Sequence, residues 1–557
     1  MPSAARRRGS RGAAALILVI AACSTGSPSA TPPPTAATAS ALAPAPRYQA
    51  EPARHQGGVV TIGDWQFPSS FPPTYLPGPA GAELVEQTLF NGLLGVDPGL
   101  DFYGDLARSV PSPKPIGAGM DVAYELRPGL HWSDGQPINA DDVIFTWQVT
   151  PRTEGYDQIS GVDKTGDLAF TIHFKAVYPA FGLLFPAILP KHRLAGVDRA
   201  RLDTDAYWSA PSVVSGPFMV AESVPADHIT LQRNPRYGDG RAEQPLLHHS
   251  PYLEKLLFKA FATKSALLSA LKAGDVHVAL QLDESDRAAG ARLQSVPALS
   301  YEQVTFNQQS AVWKDDPQLL TALTEAVDVD GVIAGPLQKR APAAVGPISP
   351  QLDWAYNGDL APPHVQLDAA RAMLDGDGWV PGPDGIRAKS GRRLQFSLVS
   401  LAGSPLRESE AATLAAGWRQ AGAEARLQYY SPDQLFGSVL APGGFDAALF
   451  AWDSPADPDG LFATLHSSRV PPAGANYSRC SSPALDADLV AGRATLDRAR
   501  RGAAYRDLQA QYRKLTCEVP LYQRLDIGVS SRHLHNYAPN PAGPGNTWNV
   551  ADWWIDG

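Results

Sequence analysis

The chain is 557 residues long, several times a typical domain of roughly 100–200 residues, so two or three domains are expected. Its formal net charge is −9, and setting aside the first 22 residues with their four arginines brings it near −13. That balance excludes nucleic acid and anionic membrane surfaces as partners, because both demand basic patches. An apolar content of 44% is ample for packed cores, and 51 Pro with 49 Gly imply many turns.

Arg6, Arg7, Arg8 and Arg11 precede a short apolar run at 13–22. That run is too short to span a bilayer and has the flanks of a secretory signal, so 1–22 is expected to be removed. It ends in Ile20-Ala21-Ala22-Cys23, which resembles the bacterial lipobox and so implies a lipid-modified Cys23 at the mature N-terminus. Residues 24–50 are rich in Ala, Pro, Ser and Thr and include Pro32-Pro33-Pro34. Such a composition buries no core, and it predicts a disordered tether over 23–55. Beyond Cys23 only Cys480 and Cys517 remain. An isolated pair in an exported chain is expected to be bridged, with two separately buried thiols as the competing possibility. A bridge here stabilises by about 4 kcal/mol on chain-entropy grounds.

The folded body is expected to begin near Gly57-Gly58, with a β-rich run at 59–62 and a loop through Asp64, Trp65, Phe67 and Pro68. Residues 83–93 have helical spacing, with Gly92 near the C-cap. Val122, Tyr124 and Leu126 alternate with Ala123, Glu125 and Arg127, the period of a half-buried strand, and Pro128-Gly129 stops it. Ser133-Asp134-Gly135 supplies turn chemistry. Asn139 is placed to cap a helix with Asp141 and Asp142 in its first turn. Strands follow at 168–175, 256–261 and 394–399, a hairpin between 216 and 237, and helices at 265–273, 319–327, 368–374 and 414–421. The run at 445–452 is apolar almost throughout, the pattern of a strand buried on both faces. Residues 485–515 look helical, and 519–522 return the chain toward its first half. Strands alternating with helices over this length predict an α/β fold.

The series Leu126-Arg127-Pro128-Gly129, Trp132, Ser133-Asp134-Gly135, Pro137 and Ala140-Asp141-Asp142-Val143 closely resembles a signature of the peptide/nickel class of extracytoplasmic solute-binding proteins, bacterial family 5. Pro190-Lys191-His192, Gly216-Pro217-Phe218 and Arg233-Asn234-Pro235-Arg236-Tyr237 resemble further landmarks in family order, and Phe306-Asn307 resembles the strand crossing between lobes. The resemblance implies a two-lobed α/β periplasmic-binding-protein fold of type II, in its large peptide-binding variant, with a hinge between lobes. Lobe I would span 56–305 with the return of 523–557, and lobe II would span 306–522. It also implies ligand held between the lobes, with the loop carrying Phe67 facing the cleft.

In peptide-binding members, the segment corresponding to 451–459 carries an Asp that anchors the ligand's α-amino group. A buried ammonium needs a paired carboxylate, or desolvation defeats binding. The family's Asp lies four residues before the Pro corresponding to Pro458, where this chain has Ser454. Asp453 lies one residue earlier, and Asp457 directly precedes the Pro. Either Asp453 serves with a one-residue shift or a free peptide N-terminus is not gripped, and on a strand such a slip turns a side chain to the opposite face. The candidate ligand contacts are Asp453, Ser454, Asp457, Trp452, Asn307, Phe306 and Phe67.

His533-Leu534-His535 puts two His on one strand face, but where the family has a surface connection, so neither a metal nor a cofactor is expected. The sequence has no Walker A loop, no His-Glu-x-x-His and no Gly-x-Ser-x-Gly elbow, so no enzyme is expected either. The resemblance implies a lipid-anchored monomer outside the bacterial cell membrane that delivers peptides to ABC permease and ATPase subunits. The alternatives are a sensing or regulatory envelope lipoprotein on the same scaffold, or a binder of a non-peptide solute.

Overall fold

The computed structural model describes residues 48–557 except 66, 77, 80, 154, 240–248, 281, 284, 285, 287–290, 543–546 and 557. The expected signal, tether and Cys23 thus lie outside the described residues, apart from the last residues of the tether. Among the described residues, ten strands make one mixed sheet. Its spatial order is Glu424–Tyr430, Gln395–Leu401, Ala447–Trp452, Arg292–Phe306, Glu518–Ser530, Val278–Ala279, Val59–Asp64, Lys255–Ala260, His228–Arg233 and Phe218–Val224.

Two long strands tie the halves of this sheet together. Arg292–Phe306 and Glu518–Ser530 run antiparallel, with register breaks between Pro297 and Tyr301 and between Glu302 and Gln303. Pro297 has no N–H to give the ladder, which accounts for a break beside it. On one side, Glu518–Ser530 pairs with Val278–Ala279, and on the other Arg292–Phe306 pairs with Ala447–Trp452. The apolar side chains divide in the same way. Val60, Leu89, Val122, Trp132 and Phe170 belong to one core, and Phe306, Leu323, Leu398, Trp418 and Leu449 to another.

The signature stretch folds as its residues dictate. Strand Gly119–Glu125 buries Met120, Val122 and Tyr124 and exposes Ala123 and Glu125. Gly135 takes φ 89°, a turn conformation open to glycine at little cost. The Asn139 side chain accepts from the Asp141 N–H, and that of Asp142 accepts from the Asn139 N–H, closing a capping box on helix Ala140–Val149. Asp142 also accepts from the Trp132 indole and the Lys191 N–H, so three neutral donors satisfy its burial.

Several expectations need correction. The helix expected over 83–93 is Ala82–Leu89, with Phe90 already extended at φ −128° and ψ 149°. Gly92 is not a cap. A Cβ there would lie 2.7 Å from the Phe185 and Pro186 carbonyl oxygens, so the glycine permits a close backbone approach. The helix expected from 414 begins at Pro405, where the Ser404 hydroxyl accepts from the Arg407 N–H. The long helical region is two helices, Pro483–Arg493 and Arg498–Tyr512, and Asp497 caps the second. In strand Ala447–Trp452, Ala447 to Phe450 are fully buried on both faces. Cys480 and Cys517 are joined by a disulfide with Cα atoms 5.8 Å apart. Among the described residues, no helix is long and apolar enough to cross a membrane.

Candidate ligand-binding site

Where strand Ala447–Trp452 ends, the chain meets helix Ala82–Leu89 at a cavity of about 690 Å³. The first register break sets another wall, because Ala298, Leu299 and Ser300 line the cavity together with Arg524 to Ile527 of the neighbouring strand. Asn540, Pro541 and Trp548 close it from the C-terminal segment. A second cavity of about 290 Å³ shares Thr74, Leu183, Pro186 and Pro455 with the first and is lined by Tyr75, Tyr156 and Tyr178. Cavities of roughly 300–1,000 Å³ suit small ligands.

The helix presents one stripe to this space. Glu83, Glu86, Gln87 and Phe90 recur at three- and four-residue spacing and all line it. Glu86 is 5% exposed, and its carboxyl has no hydrogen-bond or ion-pair partner among the described residues. Burial, with the charge of Glu83 added, pushes that carboxyl up to about 8. Glu83 is also raised, chiefly by burial; backbone hydrogen bonds oppose the rise, and the charge of Asp453 adds to it. The buried Gln87 Oε1 receives no hydrogen bond. This wall therefore offers acceptors and asks for donors.

Of the residues expected at a site, Asp453 and Ser454 both line the cavity. Adjacent residues can do so because the strand ends at Trp452, and alternation no longer applies beyond it. Asp453 is exposed and makes no hydrogen bond or ion pair with a described residue. The remaining candidates are placed elsewhere, and none lines either cavity. Trp452 stacks on Tyr477 at 5.6 Å and meets Phe450 edge-on. Asp457 is held in a two-pronged ion pair by Arg501 at 2.9 and 2.5 Å and accepts from the Asp459 N–H. Phe306 is fully buried against Trp313 and Trp418. Asn307 spends its amide N–H groups on the Gly443 and Phe445 carbonyls. Phe67 packs on the first core beside Phe71.

Sequence reasoning missed Glu83, Glu86 and Gln87. Their signal was three long polar side chains on one stripe of a helix that carries no basic residue. His533 and His535 both approach Asp556, and His535 stacks on Trp554 at 3.7 Å. Among the described residues, no group of three or more His, Cys, Asp or Glu side chains is arranged to hold a metal ion.

Known proteins share this architecture. The middle part of the bacterial extracellular solute-binding proteins, family 5, matches residues 103–471. The oligopeptide-binding protein AppA of Bacillus subtilis is 27% identical over 523 residues, spanning 90% of this chain and 92% of its own length. The solved structure of AppA in complex with a nonapeptide is 25% identical, with a TM-score of 0.76, covering 90% of this chain and 100% of that one. The ABC transporter-associated periplasmic binding protein DppA from Helicobacter pylori, solved with the peptide STSA, matches with a TM-score of 0.73 at 18% identity, covering 90% of this chain and 98% of that one. The fold is the two-lobed α/β periplasmic-binding-protein fold that the signature implied.

Proposed function

This chain belongs to family 5 of the bacterial extracellular solute-binding proteins, and on that premise we propose that it captures peptides between its two lobes and hands them to an ABC importer. The family consists of extracytoplasmic substrate-binding proteins rather than enzymes, and we assign this chain no catalysis. The observation that carries the proposal is the pair of adjoining cavities, about 690 and 290 Å³, with carboxylates on the wall of the larger and tyrosines on that of the smaller. A short peptide backbone fits the first, and an apolar or aromatic side chain fits the second. Asp453, which has no partner among the described residues and lies at the cavity edge, is the group we assign to the ligand's α-amino nitrogen, with Ser454 beside it.

The rest of the organisation follows the same reading. Lobe I, 56–305 with 523–557, closes on lobe II, 306–522, around the ligand. A signal at 1–22 is removed, Cys23 carries the lipid, and 23–55 tether a monomer to the membrane near permease and ATPase subunits. A sensing or regulatory lipoprotein has less support, because the relatives described above bind peptides.

Native mass spectrometry of the protein as purified, followed by release and identification of what it holds, tests the ligand class. A heterogeneous set of short peptides is the expected result. A single sugar, lipid or metal adduct overturns the peptide assignment, and a protein that stays empty against a peptide library favours the regulatory alternative. The Ser454→Asp variant bears on the amine: a large gain in peptide affinity would show that the native site was not built to grip it.

A further inference from the structure

Glu86 is a buried acid with no cationic partner among the described residues. It is 5% exposed, lines the larger cavity, and has no hydrogen-bond or ion-pair partner among the described residues. Glu83 stands one turn away on the same stripe, and Asp453 lies close enough to act on Glu83 electrostatically. Gln87 adds a buried oxygen with no donor. Like charges at this helical spacing repel, and buried acceptors without donors are costly. Elsewhere the chain supplies a partner to its buried acids in several places: Arg501 to Asp457, Arg493 to Asp459, Arg407 to Glu302, and the Tyr512 hydroxyl to Glu518. Arg524 also lines the cavity, but it does not figure among the groups acting on Glu83 or Glu86.

We propose that Glu83, Glu86 and Gln87 form a subsite for a cationic side chain of the ligand, so that the protein prefers peptides with Lys or Arg at or next to the N-terminus. This rests on the peptide-capture function proposed above. One α-ammonium balances Asp453 and leaves two further carboxyls. A lysine ammonium or an arginine guanidinium brings one positive charge to this pair together with three to five N–H donors. The groups facing the Glu86 carboxyl are Glu83 on its own helix and Tyr75 on the preceding segment. With no cation present, burial and Glu83 keep its proton on at neutral pH. Arrival of the ligand cation releases that proton to solvent, and the ligand nitrogen keeps its own.

Isothermal titration of the full chain at pH 7, in two buffers of different ionisation enthalpy, tests this with three probes: Lys-Ala-Ala, norleucine-Ala-Ala and 1,5-diaminopentane. Norleucine keeps the hydrocarbon chain and lacks the ammonium. The lysine peptide is expected to bind at least about tenfold more tightly than the norleucine peptide. Its heat should also depend on the buffer, reporting the released proton. Glu86→Gln should bring the ratio toward one and abolish the buffer dependence, and Glu83→Gln serves as a second variant should the first fail to fold. A native ratio near one, or a ratio and proton release untouched in the variants, overturns the subsite. If diaminopentane binds and the variants weaken it while both peptides fail, the cation subsite stands and peptide capture falls. If none of the three probes binds, the subsite falls, and mass spectrometry alone judges peptide capture.

Discussion

Asp457 and Asp459 lie a few residues beyond Asp453, yet their circumstances differ from those of the acids around the cavity. Arg501 grips Asp457 with both prongs, and Arg493 does the same for Asp459 at 2.9 and 2.8 Å. Both arginines come from the closing helices of the chain, so these carboxylates are internal fastenings. Among the described residues, Glu83, Glu86 and Asp453 have no such cation, although Glu86 is as deeply buried as Asp457. Burial alone therefore does not separate a structural acid from one kept for a ligand. What separates them is whether the described residues supply a partner, either an opposite charge or enough N–H and O–H donors.

Breaking a fastened acid should have the largest effect. Arg501→Ala leaves Asp457 buried without its cation and should cost about 3–5 kcal/mol in urea unfolding. A loss under about 1 kcal/mol would mean that the pair is replaceable by water. Replacing Cys480 and Cys517 together by Ser should cost about 2–4 kcal/mol. Because the bridge lies on the fastened side of the comparison, the lysine-to-norleucine affinity ratio should not move.

The unfastened acid predicts the opposite sign. The Glu86 carboxyl, with an ordinary value of 4.5, is pushed up to about 8 in the folded chain, so the folded state holds a proton that the unfolded state sheds. Stability of the empty protein should fall as pH rises from 4.5 to 8, by about 1 kcal/mol per pH unit, and level off above that. Glu518 is also pushed up to about 8 by burial, against the hydrogen bond from Tyr512, and adds a second slope of the same sign. Glu86→Gln should therefore remove one of these slopes, making the unfolding free energy less pH-dependent, and stabilise the protein near pH 7.5. A slope unchanged in that variant would place a countercharge beside Glu86 after all.

The smallest effect belongs to the third kind of buried acid, Asp142, which neutral N–H donors satisfy. Asn139→Ala removes the other half of that cap and should cost about 1 kcal/mol in thermal melts, with ligand binding unaltered.

Local chemistry was readable from the residues, and long-range pairing was not. The cap at Asn139, the turn at Gly135 and the doubly buried strand ending at Trp452 each rest on interactions within a few positions. Asp457 looked like a ligand contact because it stands beside Pro458, and nothing near it in the chain announces Arg501, 44 residues later. Helical spacing around Glu83 was visible too. Which stripe would meet a cavity depended on the Asp453 segment, which only the folded sheet brings across. At Asp453 and Ser454 the alternation rule was applied beyond the end of the strand at Trp452, so the expected opposition between the two does not hold.

Strand Glu518–Ser530 occupies the middle of the sheet, between Arg292–Phe306 and Val278–Ala279, and is the last long strand to be made. A chain appearing N-terminus first therefore completes the outer strands of both halves before it has the piece that joins them. Until then Arg292–Phe306 presents an open edge, and such edges recruit stray strands. Loss of everything after Cys517 would not shorten this sheet. It would leave two, one of four strands and one of five.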